Sequence, residues 1–97
     1  MDVLQFESFG PYLNSTFAVR AGEATVDLTL TQATRTPASP YPGMAREPFS
    51  LTFQSASPEV LPQSLYAFEH PAMGKLDIFI VPIGRDGGGV IYQAVFN

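Results

Sequence analysis

The stretch from Ser64 to Asn97 constrains the fold of this chain more than any other part. It reads as two linked hairpins: SLYAFEH, a turn at PAMG, KLDIFIVPI, a turn at GRDGGG, then VIYQAVFN. Successive side chains of a strand point to opposite faces. In the middle strand, Leu76, Ile78 and Ile80 fall on one face, and Phe79, Val81 and Ile83 on the other. A strand that is apolar on both sides needs cover on both sides. The expectation is a small sheet-built domain with more apolar strand surface than one side of a core uses.

Pairing by counting gives a first register. A turn at Pro71–Gly74 sets His70 opposite Lys75, Phe68 opposite Asp77 and Tyr66 opposite Phe79. A loop at Gly84–Gly89 sets Ile83 opposite Val90, Val81 opposite Tyr92 and Phe79 opposite Ala94. One face then collects Tyr66, Phe68, Phe79, Val81, Ile83, Val90, Tyr92, Ala94 and Phe96. The other collects Leu65, Ala67, Leu76, Ile78, Ile80, Ile91 and Val95, with Glu69 and Gln93. The first is larger and more aromatic, so it is expected to face the core, with Phe79 fully buried. The second, centred on Ile78, Ile80, Ile91 and Val95, is still too apolar for water. It calls for an N-terminal helix, closure of a barrel or another molecule. A slip of one residue would exchange the two faces.

Upstream, the alternation is cleaner. In Ala24–Ala33, Val26, Leu28 and Leu30 alternate with Thr25, Asp27, Thr29 and Thr31, which predicts one packed and one wet face. Phe49, Leu51 and Phe53 do the same against Ser50, Thr52 and Gln54. Thr16–Arg20 is a short strand, joined to the next by a tight turn at Ala21–Glu23. Phe6, Phe9 and Leu13 recur at helical spacing, and Gly10 and Pro11 cut that helix to one or two turns. Phe6 and Phe9 are expected to lie over an open end of the sheet. The fold class is therefore all-β with one short N-terminal helix: about six strands in an antiparallel meander, closed as a small barrel or stacked as a two-layer sandwich.

Ninety-seven residues make a single domain, 1–97. Nine acids against five bases give a net charge of −4, and no basic stripe forms, which argues against nucleic acid as a partner. The absence of cysteine excludes disulfides, thiol nucleophiles and thiolate metal sites. The longest apolar run, Ile78–Ile83, is far short of a membrane-spanning helix and contains Pro82. Asp2 and Glu7 stand where a signal peptide would carry bases, so the expected location is the cytoplasm, with incorporation into a phage-like or exported assembly as the other route.

No catalytic or metal constellation emerges. His70 is the only histidine, and clustering with Glu69 and Asp77 would give a poor metal shell; a histidine held near a turn is the plainer reading. Ser64 is six residues from His70 along one strand, too far for a nucleophile and its base. GRDGGG lacks the helix and the Lys-Ser/Thr pair of a phosphate loop. The expectation is no enzyme and no cofactor. The segment Arg35–Pro48 is richer in signal. Its four prolines predict an extended, stiff loop, and Tyr41, between Pro40 and Pro42, would make a contact anchor with Met44 and Arg46 because little entropy is lost on docking. Its alternative is to wrap an open barrel end and bury Tyr41. Candidate protein-contact residues are thus Tyr41, Met44, Arg46, Ile78, Ile80, Ile91 and Val95.

Several motifs together resemble a family of small bacterial domains of unknown function. They are the LNSTF turn, the REPFSL strand, the LPQ-x-x-Y-x-x-EHP hairpin entry and the Tyr-x-Ala-Val-Phe-Asn ending. The residues that carry the likeness are packing and turn residues, among them Phe49, Leu51, Pro62, Tyr66, Glu69, His70, Pro71, Gly74, Tyr92 and Phe96. Ser64-Leu65 stands where a Gly-Thr pair is more typical of the family. The resemblance implies an association with phage-tail-like proteins and supplies no catalytic residue. The expected function is a non-enzymatic structural or protein-binding module, through self-association or a protein partner. The alternative is a barrel that binds a small ligand or glycan in a cavity lined by Tyr66, Phe68, Phe79 and Tyr92.

Overall fold

The computed structural model describes residues 6–35, 49–57 and 59–96, with the side chains of Phe6 and Glu7 left out. A single helical turn, α1 (Phe6–Phe9), runs into a 3-10 turn at Gly10–Tyr12 with Pro11 in its opening positions. Six strands follow: β1 (Thr16–Ala21), β2 (Ala24–Arg35), β3 (Phe49–Ser55), β4 (Ser64–His70), β5 (Gly74–Asp86) and β6 (Gly89–Phe96). All pair antiparallel, in the order β1-β2-β3-β6-β5-β4, and β4 returns to β1 to close a barrel. The closing seam is short: Ala18, Val19 and Arg20 face Glu69, Phe68 and Ala67.

The interior is filled by side chains. Phe17, Phe53 and Phe68 pack edge-on with ring centroids 5.2–6.3 Å apart, and Val19, Leu28, Leu30, Leu51 and Tyr92 surround them, all fully buried. Each such side chain contributes about 1.5–3 kcal/mol by leaving water. At one end, α1 places Phe9 against Phe49 and Phe96, which themselves stack at 4.6 Å across the β3–β6 pair. For Phe9 this is the cover over an open end that the Phe spacing predicts; the side chain of Phe6 lies outside those described. At the other end, the loop after β3 is fastened by two tyrosines. The Tyr92 hydroxyl accepts the Leu61 N–H at 2.9 Å, and the Tyr66 hydroxyl donates to the Pro62 carbonyl at 2.6 Å. Buried Ser55 accepts the Ser57 N–H on its hydroxyl. Among the described residues no buried side-chain polar atom lacks a partner.

The register of the first of the last two hairpins differs from counting by one residue, and that of the second by two at its turn and by one past the bulge; the turns explain it. Pro71, Ala72 and Met73 alone form the first loop, so His70 faces Gly74, Phe68 faces Leu76 and Tyr66 faces Ile78. Gly74 closes that loop at φ +80, the left-handed position that a three-residue hairpin loop gives to glycine. The His70 ring fixes the loop from inside: Nδ1 accepts the N–H of Ala72 at 3.0 Å and of Met73 at 3.4 Å. The second hairpin turns on Gly87-Gly88, with Asp86 opposite Gly89 and the Asp86 carboxylate accepting the Gly88 N–H at 2.7 Å. A bulge at Ile83 then sets Pro82 opposite Tyr92.

The consequence is an exchange of faces along β5 only. Ile78 and Ile80 are buried in the core, whereas Phe79, expected inside, is 50% exposed. On β4 and β6 the expected inward residues Phe68, Val90, Tyr92 and Ala94 are indeed buried. A ligand cavity lined by Tyr66, Phe68, Phe79 and Tyr92 does not assemble as a set, because Phe79 lies outside the wall.

Candidate interaction surface

Whatever this domain touches, it touches with its outer wall or its rims. Outward positions follow from register. On β1–β3 they are filled mostly by Thr, Ser, Gln and charged residues. Thr16 and Thr29 meet hydroxyl to hydroxyl at 3.5 Å, and the Thr31 hydroxyl donates to the Thr52 carbonyl at 3.1 Å. On β4–β6 the outward positions away from the Pro71–Met73 loop are mostly apolar. Leu65 lies directly opposite Phe79. The β5–β6 ladder ends at Val81–Gln93, and Val95, two residues further along β6, is paired with Ser50 of β3. Leu65, Phe79 and Val95 are 60%, 50% and 59% exposed on this wall, and Ile83, at 53%, projects from the bulge. The largest apolar patch on an ordinary monomer is about 300–600 Å² and is often where it makes its contacts.

Charge on this face is confined to one end. Glu69 pairs with Lys75 and Ala67 with Asp77 beside the Pro71–Met73 loop. Beyond Asp77 the outward positions of β5 carry no charge as far as the bulge. Backbone pairing changes hands in the same stretch: β5 pairs with β4 through Ile80 and with β6 from Val81 onward. Pro82 and the bulge at Ile83 sit just past that exchange. A proline offers no N–H, and a bulge twists a strand away from a flat ladder; both discourage another chain from adding as a strand. The surface is built to be met by side chains rather than by an extra strand.

The candidate contact residues divide on this geometry. Val95 is exposed, and Ile91 is half-buried on the outer side. Ile78 and Ile80 are corrected: they point into the barrel and its closure covers them, so they are core residues and not contacts. Tyr41, Met44 and Arg46 lie outside the described residues. The outward apolar residues not offered as contacts are Leu65, which counting had already placed on the second face, and Phe79, Val81 and Ile83, which it had placed inside. The signal that would have found them was Gly74, read as the closing residue of a three-residue loop rather than as one of four turn residues.

The rims hold shallow clefts and little chemistry. One, of about 420 Å³, is lined by Ala18, Glu69, His70, Pro71, Gly74 and Lys75. His70 is held there between Tyr12 and Phe17, at ring-centroid distances of 4.8 and 4.6 Å. With Nδ1 engaged as acceptor, Nε2 is the nitrogen that carries the proton. This is the turn-holding histidine of the plainer reading. No group of three or more His, Cys, Asp or Glu that could hold a metal occurs among the described residues. A second cleft, along Arg85–Val90 and Ala56, follows the glycine turn, where the Gln54 side-chain amide donates to Asp86 at 2.7 Å. At the loop-covered end, burial raises the Tyr66 pKa above its ordinary 10.0, and the neighbouring Tyr92 adds to the shift. No helix among the described residues is long and apolar enough to cross a membrane.

A family model described as a domain of unknown function (DUF6916) matches residues 4–96. No curated protein and no solved structure matches the chain. The chain belongs to the DUF6916 family.

Proposed function

We propose that this DUF6916 domain is a non-enzymatic structural or protein-binding module whose contact surface is the outer face of β4–β6. The observation that carries the reading is the set of exposed apolar side chains on this wall: Leu65 opposite Phe79, with Ile83 and Val95. Strand formation does not require these residues. Threonine fills equivalent outward positions on β1 and β2 and favours strands as well as Val or Ile does. Apolar outward positions on this wall therefore answer to something other than the sheet. The filled interior speaks for surface recognition over a ligand held in the barrel. Lys75 is the single base that register places on this face, beside Glu69 and Asp77, which favours protein over nucleic acid as the partner. The phage-tail-like association implied by the resemblance would supply such a partner in a repeated assembly, with this domain as a component or accessory.

The test is differential capture. Immobilised wild-type domain and a Phe79→Asp variant, both verified as folded by circular dichroism, are exposed to an extract of the producing cell, and bound chains are identified by mass spectrometry. The expected result is at least one protein, this chain or another, held by the wild type and lost from the variant. Identical sets on the two baits would overturn the reading.

A further inference from the structure

We infer that the β4–β5 turn is a pH-sensitive latch beside the barrel's closing seam, held while Nδ1 of His70 is unprotonated and released when the imidazole takes a second proton. The inference stands apart from the protein-binding reading above. Three observations carry it.

The first is what the ring does for the turn. Pro71, Ala72 and Met73 form the loop between His70 and Gly74. Nδ1 of His70 accepts the Ala72 N–H at 3.0 Å and the Met73 N–H at 3.4 Å. One ring nitrogen thus serves as the acceptor for two successive backbone amides. An imidazolium donates from both nitrogens and accepts at neither. Turning the ring over brings no other acceptor to the loop, so protonation takes this partner from both amides.

The second is what holds the ring. It lies between Tyr12 of the 3-10 turn and Phe17 of β1, at centroid distances of 4.8 and 4.6 Å, and Phe17 is fully buried in the core. Aromatic rings at such distances attract a cation, so a charged imidazole is favoured where it stands. The loop, exposed at Pro71 and Ala72, is the side that gives. The charged groups beside the ring are Glu69 on β4 and Lys75 on β5, which line one cleft with it and face each other in register. Their signs are opposite, so their fields on the ring oppose each other. The 3-10 turn contributes the Tyr12 phenol, and β1 contributes Phe17 and Ala18, which do not titrate. The acceptor chemistry of Nδ1 therefore decides the response.

The third is position. β4 closes the barrel onto β1 through three residue pairs, and the pair at one end, Ala18–Glu69, is next to His70 in the chain. Across the hairpin from His70, Gly74 begins β5 at φ +80. Once the loop amides are released, fraying of β4 meets the seam after a single residue. One proton is thereby coupled to the edge at which the barrel closes. The latch contributes stability above the imidazole's titration and loses it as pH falls through that titration.

The test is a nuclear magnetic resonance titration of the isotope-labelled whole chain from about pH 8 to 5, the range in which imidazole changes charge. The Ala72 and Met73 amide signals should move with the His70 ring protons and share their midpoint. Exchange of those two amides with solvent, corrected for its intrinsic pH dependence, should quicken about tenfold at the acid end, as loss of roughly one hydrogen bond requires. Amides of β2 and β3 should not follow. His70→Asn keeps a side-chain acceptor for the loop and has no ring to protonate, so it should abolish the response. Glu69→Gln should retain it. The inference is overturned if the His70 ring titrates while both amides stay unchanged, or if the ring does not titrate in this range. A response that survives in His70→Asn, or disappears in Glu69→Gln, overturns it equally. If His70→Asn fails to fold, the wild-type titration and Glu69→Gln decide.

Discussion

Outward positions on β1–β3 include Thr16, Arg20, Thr25, Asp27, Thr29, Thr52 and Gln54; on β4–β6 they include Leu65, Phe79, Val81, Ile91 and Val95, with the charges Glu69, Lys75 and Asp77 gathered at one end. Inside, the two halves are alike. Phe17, Leu28 and Phe53 from one half interlock with Phe68, Ile80 and Tyr92 from the other, all fully buried. The same inner requirement is thus met by two different outer solutions. Threonine on the first wall combines strand propensity with hydration, and its hydroxyls find cross-strand partners. The second wall forgoes hydration at the centre of the longest strand. The contrast separates what the barrel needs in order to fold from what the domain presents to others.

The sharpest way to break that contrast lies on β5 itself, where adjacent residues face opposite ways. Ile80→Asp places a carboxylate in the filled interior and should abolish folding, a loss of more than about 4 kcal/mol. Phe79→Asp, one residue away, should leave the far-ultraviolet circular dichroism and the melting cooperativity intact and change association alone. If both variants unfold, or neither does, the inner and outer assignment of β5 is wrong.

Next in size is the seam where β6 begins beneath β3. Gly89 adopts φ +131, and a Cβ there would collide with the Ser55 carbonyl oxygen. Gly89→Ala should cost about 3 kcal/mol in denaturant unfolding through strain and displaced backbone. Gly87→Ala, in open space two residues earlier, should cost well under half of that. Equal costs would mean that the two walls are not joined at this tight contact.

A smaller effect is expected where the apolar wall fastens the loop-covered end. Tyr92→Phe leaves the ring in the core and removes the hydroxyl that accepts the Leu61 N–H, for a loss of about 1 kcal/mol. Amide hydrogen exchange at Leu61 should accelerate more than exchange within β1–β3.

Tyr66 gives the pH counterpart. Its pKa is raised in the folded state by burial and by Tyr92, so the folded protein favours the protonated phenol, which donates to Pro62. That contribution is fully present below the unfolded value near 10 and is lost as pH rises through the higher folded value. Thermal stability should therefore fall as pH rises above about 10, and less so in Tyr66→Phe. An unchanged alkaline limb in that variant would assign the loss elsewhere. Smallest of all, Thr16→Val on the hydrated wall should alter stability by no more than about 0.5 kcal/mol.

Much of the fold was readable residue by residue. Val26, Leu28 and Leu30 against Thr25, Asp27 and Thr29 fixed the inner side of β2, and Phe49, Leu51 and Phe53 fixed that of β3, because only one alternating set was apolar. Gly10 and Pro11 announced the short helix that puts Phe9 over the end. On β5 both sets are apolar, so periodicity had no preference there. Aromatic size, the criterion that remained, favoured Phe79 for the core, and it chose wrongly. The surplus of apolar strand positions was legible, but not which of them face outward: Val95 and Leu65, placed on the second face, are exposed, while Ile78 and Ile80, placed there too, are buried and Phe79 is exposed in their stead.

The sequence by itself determined six strands, their approximate ends, the turns between them and the surplus of apolar strand surface in the last third of the chain. These follow from local chemistry: alternation, proline, glycine and the reach of a few neighbouring residues. Only the tertiary structure decided which side of β5 looks inward and that β4 closes onto β1. The first turned on a loop of three residues instead of four, set by Gly74 in the left-handed region and by the His70 ring gripping two backbone amides. A strand has a period of two, so that one residue moved every side chain of β5 to the opposite face. The second depended on three residue pairs between strands more than 40 positions apart, and no local pattern in the chain encodes a meeting at that distance.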